Sequence, residues 1–148
     1  MARDLRLRDE DGFTLIELLA VLLIIGILSA IALTTFFGHK DRAEDGVAKG
    51  DARGLVTQIE SCFAVNLDYR ECDEEAELTP AEVPYGSDPG EVAVVDAEKM
   101  SYVIEAYSKS SAGGATHIFQ IAKDVETGVI SKTCTPVGES GCPDTGVW

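Results

Sequence analysis

Positive charge is scarce in this sequence. Twelve lysines and arginines stand against 26 aspartates and glutamates in 148 residues, a net charge of −14. Such an acidic chain is a poor direct ligand for nucleic-acid phosphates, so no direct nucleic-acid binding is expected. Histidine is scarcer still, with only His39 and His117. No serine stands in a nucleophile-elbow context, and no glycine-rich phosphate loop occurs. No catalytic constellation survives, so the chain reads as no enzyme and calls for no cofactor. The cysteines include no Cys-x-x-Cys pair, which argues against a zinc site. Asp73, Glu74, Glu75 and Glu77 could offer oxygens to calcium, but EF-hand spacing is missing and a solvated acidic loop is the simpler reading, so no metal site is assigned.

One stretch lacks charge and proline altogether. From Leu18 to Phe37 there are twenty such residues. As a helix, 13–37 would be roughly 37 Å long. A hydrocarbon core is about 30 Å thick, so this segment can span a membrane with some tilt. A single carboxylate, Glu17, stands at its start. An ionisable group near a membrane segment is costly, so Glu17 is expected to have a partner.

The residues around that carboxylate carry a specific pattern. Gly12-Phe13-Thr14-Leu15-Ile16-Glu17-Leu18-Leu19, followed by Ile24-Ile25-Gly26-Ile27-Leu28, resembles the N-terminus of a type IV prepilin, type IVa-like, with a class III signal peptide. The resemblance implies that residues 1–12 are a leader removed by a prepilin peptidase. The cut would fall between Gly12 and Phe13, and Phe13 would become the N-methylated first residue. It also implies assembly into a helical homopolymer by a pilus assembly machinery, with Glu17 acting in assembly. The matching segment covers about a fifth of the chain.

Two features depart from the usual pattern. The leader carries Arg3, Arg6 and Arg8 but also Asp4, Asp9, Glu10 and Asp11. Acidic residues count for little in the positive-inside rule, so the arginines can still hold the leader in the cytoplasm. Many type IVa pilins carry a proline inside the apolar helix, where this chain has Thr34, so no proline kink is implied. Simpler readings compete. A secretory signal would have a shorter apolar run with the cleavage site after it, as Ser29-Ala30-Ile31-Ala32 could supply. A plain signal anchor accounts for the hydrophobicity but gives no reason for Glu17.

Beyond the apolar run, 38–66 keeps a helical period. Ala48, Ala52, Leu55, Val56, Ile59 and Phe63 form an apolar stripe at three- and four-residue steps, suited to packing on a sheet. Gly46, Gly50 and Gly54 recur on the side opposite that stripe. They are read either as a bare ridge for close helix packing or as a softened helix. Residues 67–98, with Pro80, Pro84, Gly86, Pro89 and Gly90, read as a variable loop region. Residues 99–148 read as antiparallel sheet and a terminal loop. The expected strands are Tyr102–Lys109, His117–Lys123 and Val129–Cys134, joined by short turns.

All four cysteines, Cys62, Cys72, Cys134 and Cys142, lie beyond the membrane segment. An even count in an exported chain suggests two disulfides. Three pairings are possible. Cys62–Cys72 and Cys134–Cys142 are favoured because each closes a short loop, worth roughly 2–3 kcal/mol by loop entropy.

The expected architecture is therefore α+β. A long N-terminal helical stalk, half transmembrane and half amphipathic, packs on a C-terminal antiparallel sheet of three to four strands. The expected function is a structural subunit of an extracellular type IV pilus. The subunit would wait in the cytoplasmic membrane with its C-terminal domain outside. A minor pilin, a type II secretion pseudopilin and a membrane-anchored module that never polymerises are the alternatives.

Overall fold

The computed structural model describes residues 12–78 and 83–148, with the backbone alone at 33–35. The protein is α+β. One helix, α1 (Leu15–Asn66), precedes four strands: β1 (Val92–Ala97), β2 (Tyr102–Tyr107), β3 (Ile118–Lys123) and β4 (Ile130–Thr135). The strands form one antiparallel sheet in the order β1-β2-β3-β4. The chain divides into two units, Met1–Phe36 and Phe37–Trp148.

In the first unit α1 is helical without a break, through Thr34 included. Its described large apolar side chains, from Phe13 to Phe36, are all exposed. By length and composition this helix can cross a membrane. Apolar surface on this scale requires a cover of lipid or protein.

The second unit is built on the amphipathic part of α1. Ala48, Ala52, Leu55 and Ile59 are buried, and Val56 and Phe63 are partly so. The sheet supplies the facing layer. Tyr102, Ile104 and Ala106 of β2, with Phe119 and Ile121 of β3, point into the core at every second residue. This is the period of a sheet with one face covered. Register pairs Ile104 with Ile121 and Phe119 with Cys134 across neighbouring strands.

Polar pins stand at both ends of the apolar stripe. At one end Asp45 is fully buried against His117. At the other, Glu60 accepts hydrogen bonds from Tyr69 (2.9 Å), Tyr102 (3.2 Å) and Lys123 (2.9 Å). Sliding α1 along the sheet would break both sets, so they fix its position.

The outer strands are not left bare. Val92 N–H donates to the Pro84 carbonyl and Gly86 N–H to the Val92 carbonyl, both outside β2's ladder. On the far edge, Cys134 N–H donates to the Gly146 carbonyl, and Thr133 bridges to Val147. Covered edges remove a route to unwanted strand pairing.

Two expectations need correction. Residues 92–97 form β1, although they fall in the stretch read as loop. The prolines and glycines upstream dominate that stretch's composition, and a register break between Val94 and Asp96 disrupts the strand's alternation. The β2 strand ends at Tyr107, short of Lys109, and β3 begins after His117. The Gly113–Gly114 segment is a 3-10 turn with Gly113 at φ 70°, a left-handed conformation that glycine adopts without strain.

Candidate functional site

The segment 12–17 begins α1. Gly12, Phe13 and Thr14 precede the helix and are exposed. The Thr14 carbonyl accepts the N–H of Leu18 (3.3 Å), which places Thr14 at the N-cap. The Glu17 carboxylate reaches back to the Thr14 N–H (2.9 Å) and to its hydroxyl (2.7 Å). In return Thr14 Oγ1 accepts the Glu17 N–H (3.3 Å). This is a reciprocal capping box, and the Thr-x-x-Glu spacing announces it. The view that a plain anchor gives no reason for Glu17 is thereby corrected. The carboxylate satisfies backbone donors of its own helix and sits at the positive end of the helix dipole. Both bonds to Thr14 fall on Oε2, so Oε1 is not used by that contact. The leader residues 1–11, with Arg3, Arg6 and Arg8, lie outside the described residues.

The two halves of the glycine series differ. A Cβ at Gly46 or Gly50 would meet nothing within 4 Å. At Gly54 it would lie 2.9 Å from Val83 Cγ1. Gly54 is thus covered by its own chain and leaves the bare ridge, because the segment after residue 82 folds over that side of α1.

Two disulfides lock the second unit. Cys62 and Cys72 join the end of α1 to the turn that follows, with Cα atoms 5.9 Å apart. Cys134 and Cys142 join β4 to the terminal loop, at 5.7 Å. Among the described residues no three His, Cys, Asp or Glu side chains gather to hold a metal. Asp73, Glu74, Glu75 and Glu77 lie on a largely exposed turn.

Neither spacing nor composition marks the buried ion pair of Asp45 and His117. His117 Nδ1 lies 3.0 and 2.9 Å from the two Asp45 oxygens, and its Nε2 lies 3.0 Å from the Ala112 carbonyl oxygen. Both ring nitrogens face acceptors, an arrangement that favours the doubly protonated imidazolium. Burial opposes the charges on both groups. Their mutual hydrogen bond, with others to backbone, outweighs it, holding the Asp45 carboxyl below and the His117 imidazole above their ordinary values. His39, by contrast, is exposed.

The sequence model described as "Prokaryotic N-terminal methylation motif" matches residues 7–33, the span that includes Gly12, Phe13, the capping box and most of the apolar run. The chain is type IV pilin-like. The pilin-like chain is 36% identical over 62 residues to the type II secretion system core protein G of Pseudomonas aeruginosa, covering 42% of this chain and 44% of that protein. It is 39% identical over 69 residues to the type IV major pilin protein PilA of Myxococcus xanthus, covering 47% and 31%. To a fimbrial protein of Moraxella nonliquefaciens it is 45% identical over 65 residues, covering 40% and 42%. Thus the match spans less than half the length of each of these relatives. No solved structure matches it.

Proposed function

We propose that this pilin-like chain is the structural subunit of an extracellular type IV pilus. The observation that carries the reading is a coincidence at one place. The methylation motif runs into a helix whose described large apolar side chains are exposed as far as Phe37, and the same helix continues into the buried spine of a disulfide-locked domain. Lipid covers the apolar half before assembly, and neighbouring helices cover it afterwards. A prepilin peptidase cuts between Gly12 and Phe13, removing residues 1–12, and Phe13 is methylated. Residues 13–37 then form the membrane and filament-core segment, and 38–66 the amphipathic half. Head-to-tail contacts that do not close give an open filament.

Glu17 has two tasks in this reading. Its capping box starts the helix, and its charge meets the freed amine of Phe13 on a neighbouring subunit. An unmatched carboxylate inside an apolar bundle would be expensive or would take up a proton. The domain outside the membrane is consistent with two disulfides.

A second reading is a pseudopilus subunit, favoured by the likeness to the core protein G of a type II secretion system. Electron microscopy of sheared surface fibres, with the subunit identified by mass spectrometry, tests the first. Deleting the gene and measuring protein export tests the second. Long surface fibres built of this chain, with export intact, support the pilus. Lost export without surface fibres transfers the chain to the pseudopilus class.

A further inference from the structure

Three cations crowd one aromatic ring on the β4 side of the domain. Lys49 Nζ, the Arg53 guanidinium and Lys132 Nζ lie 5.7, 4.9 and 5.5 Å from the centre of the Trp148 ring. Trp148 is fixed from behind, its indole N–H donating to the Thr133 carbonyl (2.7 Å) and its ring edge-on to Phe119. Lys49 is also engaged with the Gly141 carbonyl (2.6 Å). Arg53 and Lys132 make neither an ion pair nor a side-chain hydrogen bond among the described residues. In a domain with a large acidic excess, these two cations have no carboxylate partner among the described residues.

The other side of the same helix carries the complement. A cleft of about 300 Å³ opens by the end of β2 and the segment leading into β1, lined by Glu44, Val47, Asp51, Pro84, Tyr107 and Lys109. Glu44 Oε1 pairs with Lys40 at 3.0 Å, but its Oε2 is buried without a hydrogen-bond partner. Burial in the cleft pushes the Asp51 carboxyl above its ordinary value, and the charge of Lys109 works the other way. The walls of Val47, Pro84 and Tyr107 suit the methylenes of a long side chain, and the two carboxylates suit a guanidinium at its end. At about 100° per residue, Glu44 and Asp51 lie roughly 170° around α1 from Lys49 and Arg53. Pro84 of the cleft accepts the N–H of Val92 in β1, and Lys132 of the platform lies in β4, so the two surfaces sit toward opposite edges of the sheet.

We propose that these two surfaces bind each other between copies of this chain, Arg53 of one copy entering the Glu44–Asp51 cleft of the next. Complementary surfaces on opposite edges give a heterologous contact that repeats without closing, as a filament needs. The contact also relieves like-charge repulsion between acidic subunits at the place where they meet. It rests on the reading of the chain as a homopolymer.

The test uses the full chain in fibre-forming cells. Arg53 is exposed, so Arg53→Glu should accumulate as processed subunit with both disulfides while fibre yield drops several-fold. Adding Asp51→Arg to Arg53→Glu should restore fibres. Undiminished fibres from Arg53→Glu, or a loss that Asp51→Arg does not restore, overturns the contact. Should Arg53→Glu fail to accumulate, the Asp51→Cys, Arg53→Cys double variant decides. Sheared fibres should then give a covalent ladder of three or more subunits, and fibres yielding only monomer overturn the contact. Wild-type fibres in either failing case leave the pilus reading standing. No wild-type fibres at all would remove that reading and this contact with it.

Discussion

Asp45 on α1 and His117 before β3 form a fully buried ion pair 72 residues apart in sequence, with Nδ1 2.9 Å from Oδ2. The same Oδ2 accepts the N–H of Gly141 at 2.8 Å. One carboxylate therefore ties together the helix, the β2–β3 connection and the disulfide-closed terminal loop. Removing one partner of a buried pair leaves the other charge unmatched, at a typical cost of about 3–5 kcal/mol. Asp45→Ala and His117→Ala should each destabilise the second unit by that amount. Thermal unfolding of the full chain in detergent would read the loss. A change near zero for both would remove the pair as a pin.

The pair also sets a pH dependence. The Asp45 carboxyl lies below its ordinary 3.8, so its contribution is complete above that value and is lost as pH falls through the lower folded value. His117 lies above its ordinary 6.5, so its contribution is complete below 6.5 and is lost as pH rises through the higher folded value. Stability from this pair should therefore be greatest between about pH 4 and 6.5. Unfolding curves of wild type and His117→Ala across pH should converge on the alkaline side. A constant gap up to strongly alkaline pH would refute the assignment.

Gly141 tests the same junction by space alone. A Cβ there would lie 2.7 Å from the Asp45 Cβ, closer than carbon atoms approach. Gly141→Ala must push the terminal loop away from α1 and lengthen the bond to Oδ2. A loss of about 1–3 kcal/mol is expected, in the range of overpacked sites. Gly46→Ala, where a Cβ meets nothing, should instead stabilise the helix by up to about 1 kcal/mol. Equal effects at the two positions would contradict the packing described.

These cases show what the sequence could and could not convey. The stripe Ala48, Ala52, Leu55 and Ile59 is local and periodic, so its burial was legible. So were the cores of β2, β3 and β4, with their branched and aromatic residues between short turns. β1 was not, because Val92 to Ala97 is a short apolar run behind a proline- and glycine-rich stretch. The Asp45–His117 pair was invisible because a buried charge leaves no local signature until its distant partner is known. The capping box was legible in the Thr-x-x-Glu spacing of Thr14-Leu15-Ile16-Glu17, but a carboxylate beside a long apolar run fits a buried charge in search of a partner equally well.

Processing has a direct check. Intact mass and N-terminal sequencing should find N-methyl-Phe13 at the start of the mature chain. Gly12→Leu should leave the leader attached and stop filament formation. A mature chain beginning at Met1 or after Ala32 would end the pilin account of this segment. Non-reducing peptide mapping of the same material should return the Cys62–Cys72 and Cys134–Cys142 peptides, with none linking Cys62 to Cys134.

The two tasks assigned to Glu17 can be separated by substitution. Glutamine satisfies a capping box almost as well as glutamate but carries no charge. Thr14→Ala does the opposite, removing the hydroxyl of the box while leaving the carboxylate in place. If capping were the whole role, Glu17→Gln would assemble normally, and Thr14→Ala would be the damaging change, at about 1 kcal/mol. If the charge must meet the Phe13 amine of a neighbour, Glu17→Gln and Glu17→Ala both insert and are cleaved, yet give little or no filament. Glu17→Asp, one methylene shorter, should be partly defective, and Thr14→Ala should assemble with only a modest loss. The second pattern is expected, because the cost of an unmatched charge in an apolar bundle exceeds that of a lost cap severalfold. Membrane fractionation, leader removal and fibre counts should be measured on the same cells. Abundant fibres from Glu17→Gln would confine Glu17 to the capping box and withdraw charge pairing from the assembly mechanism.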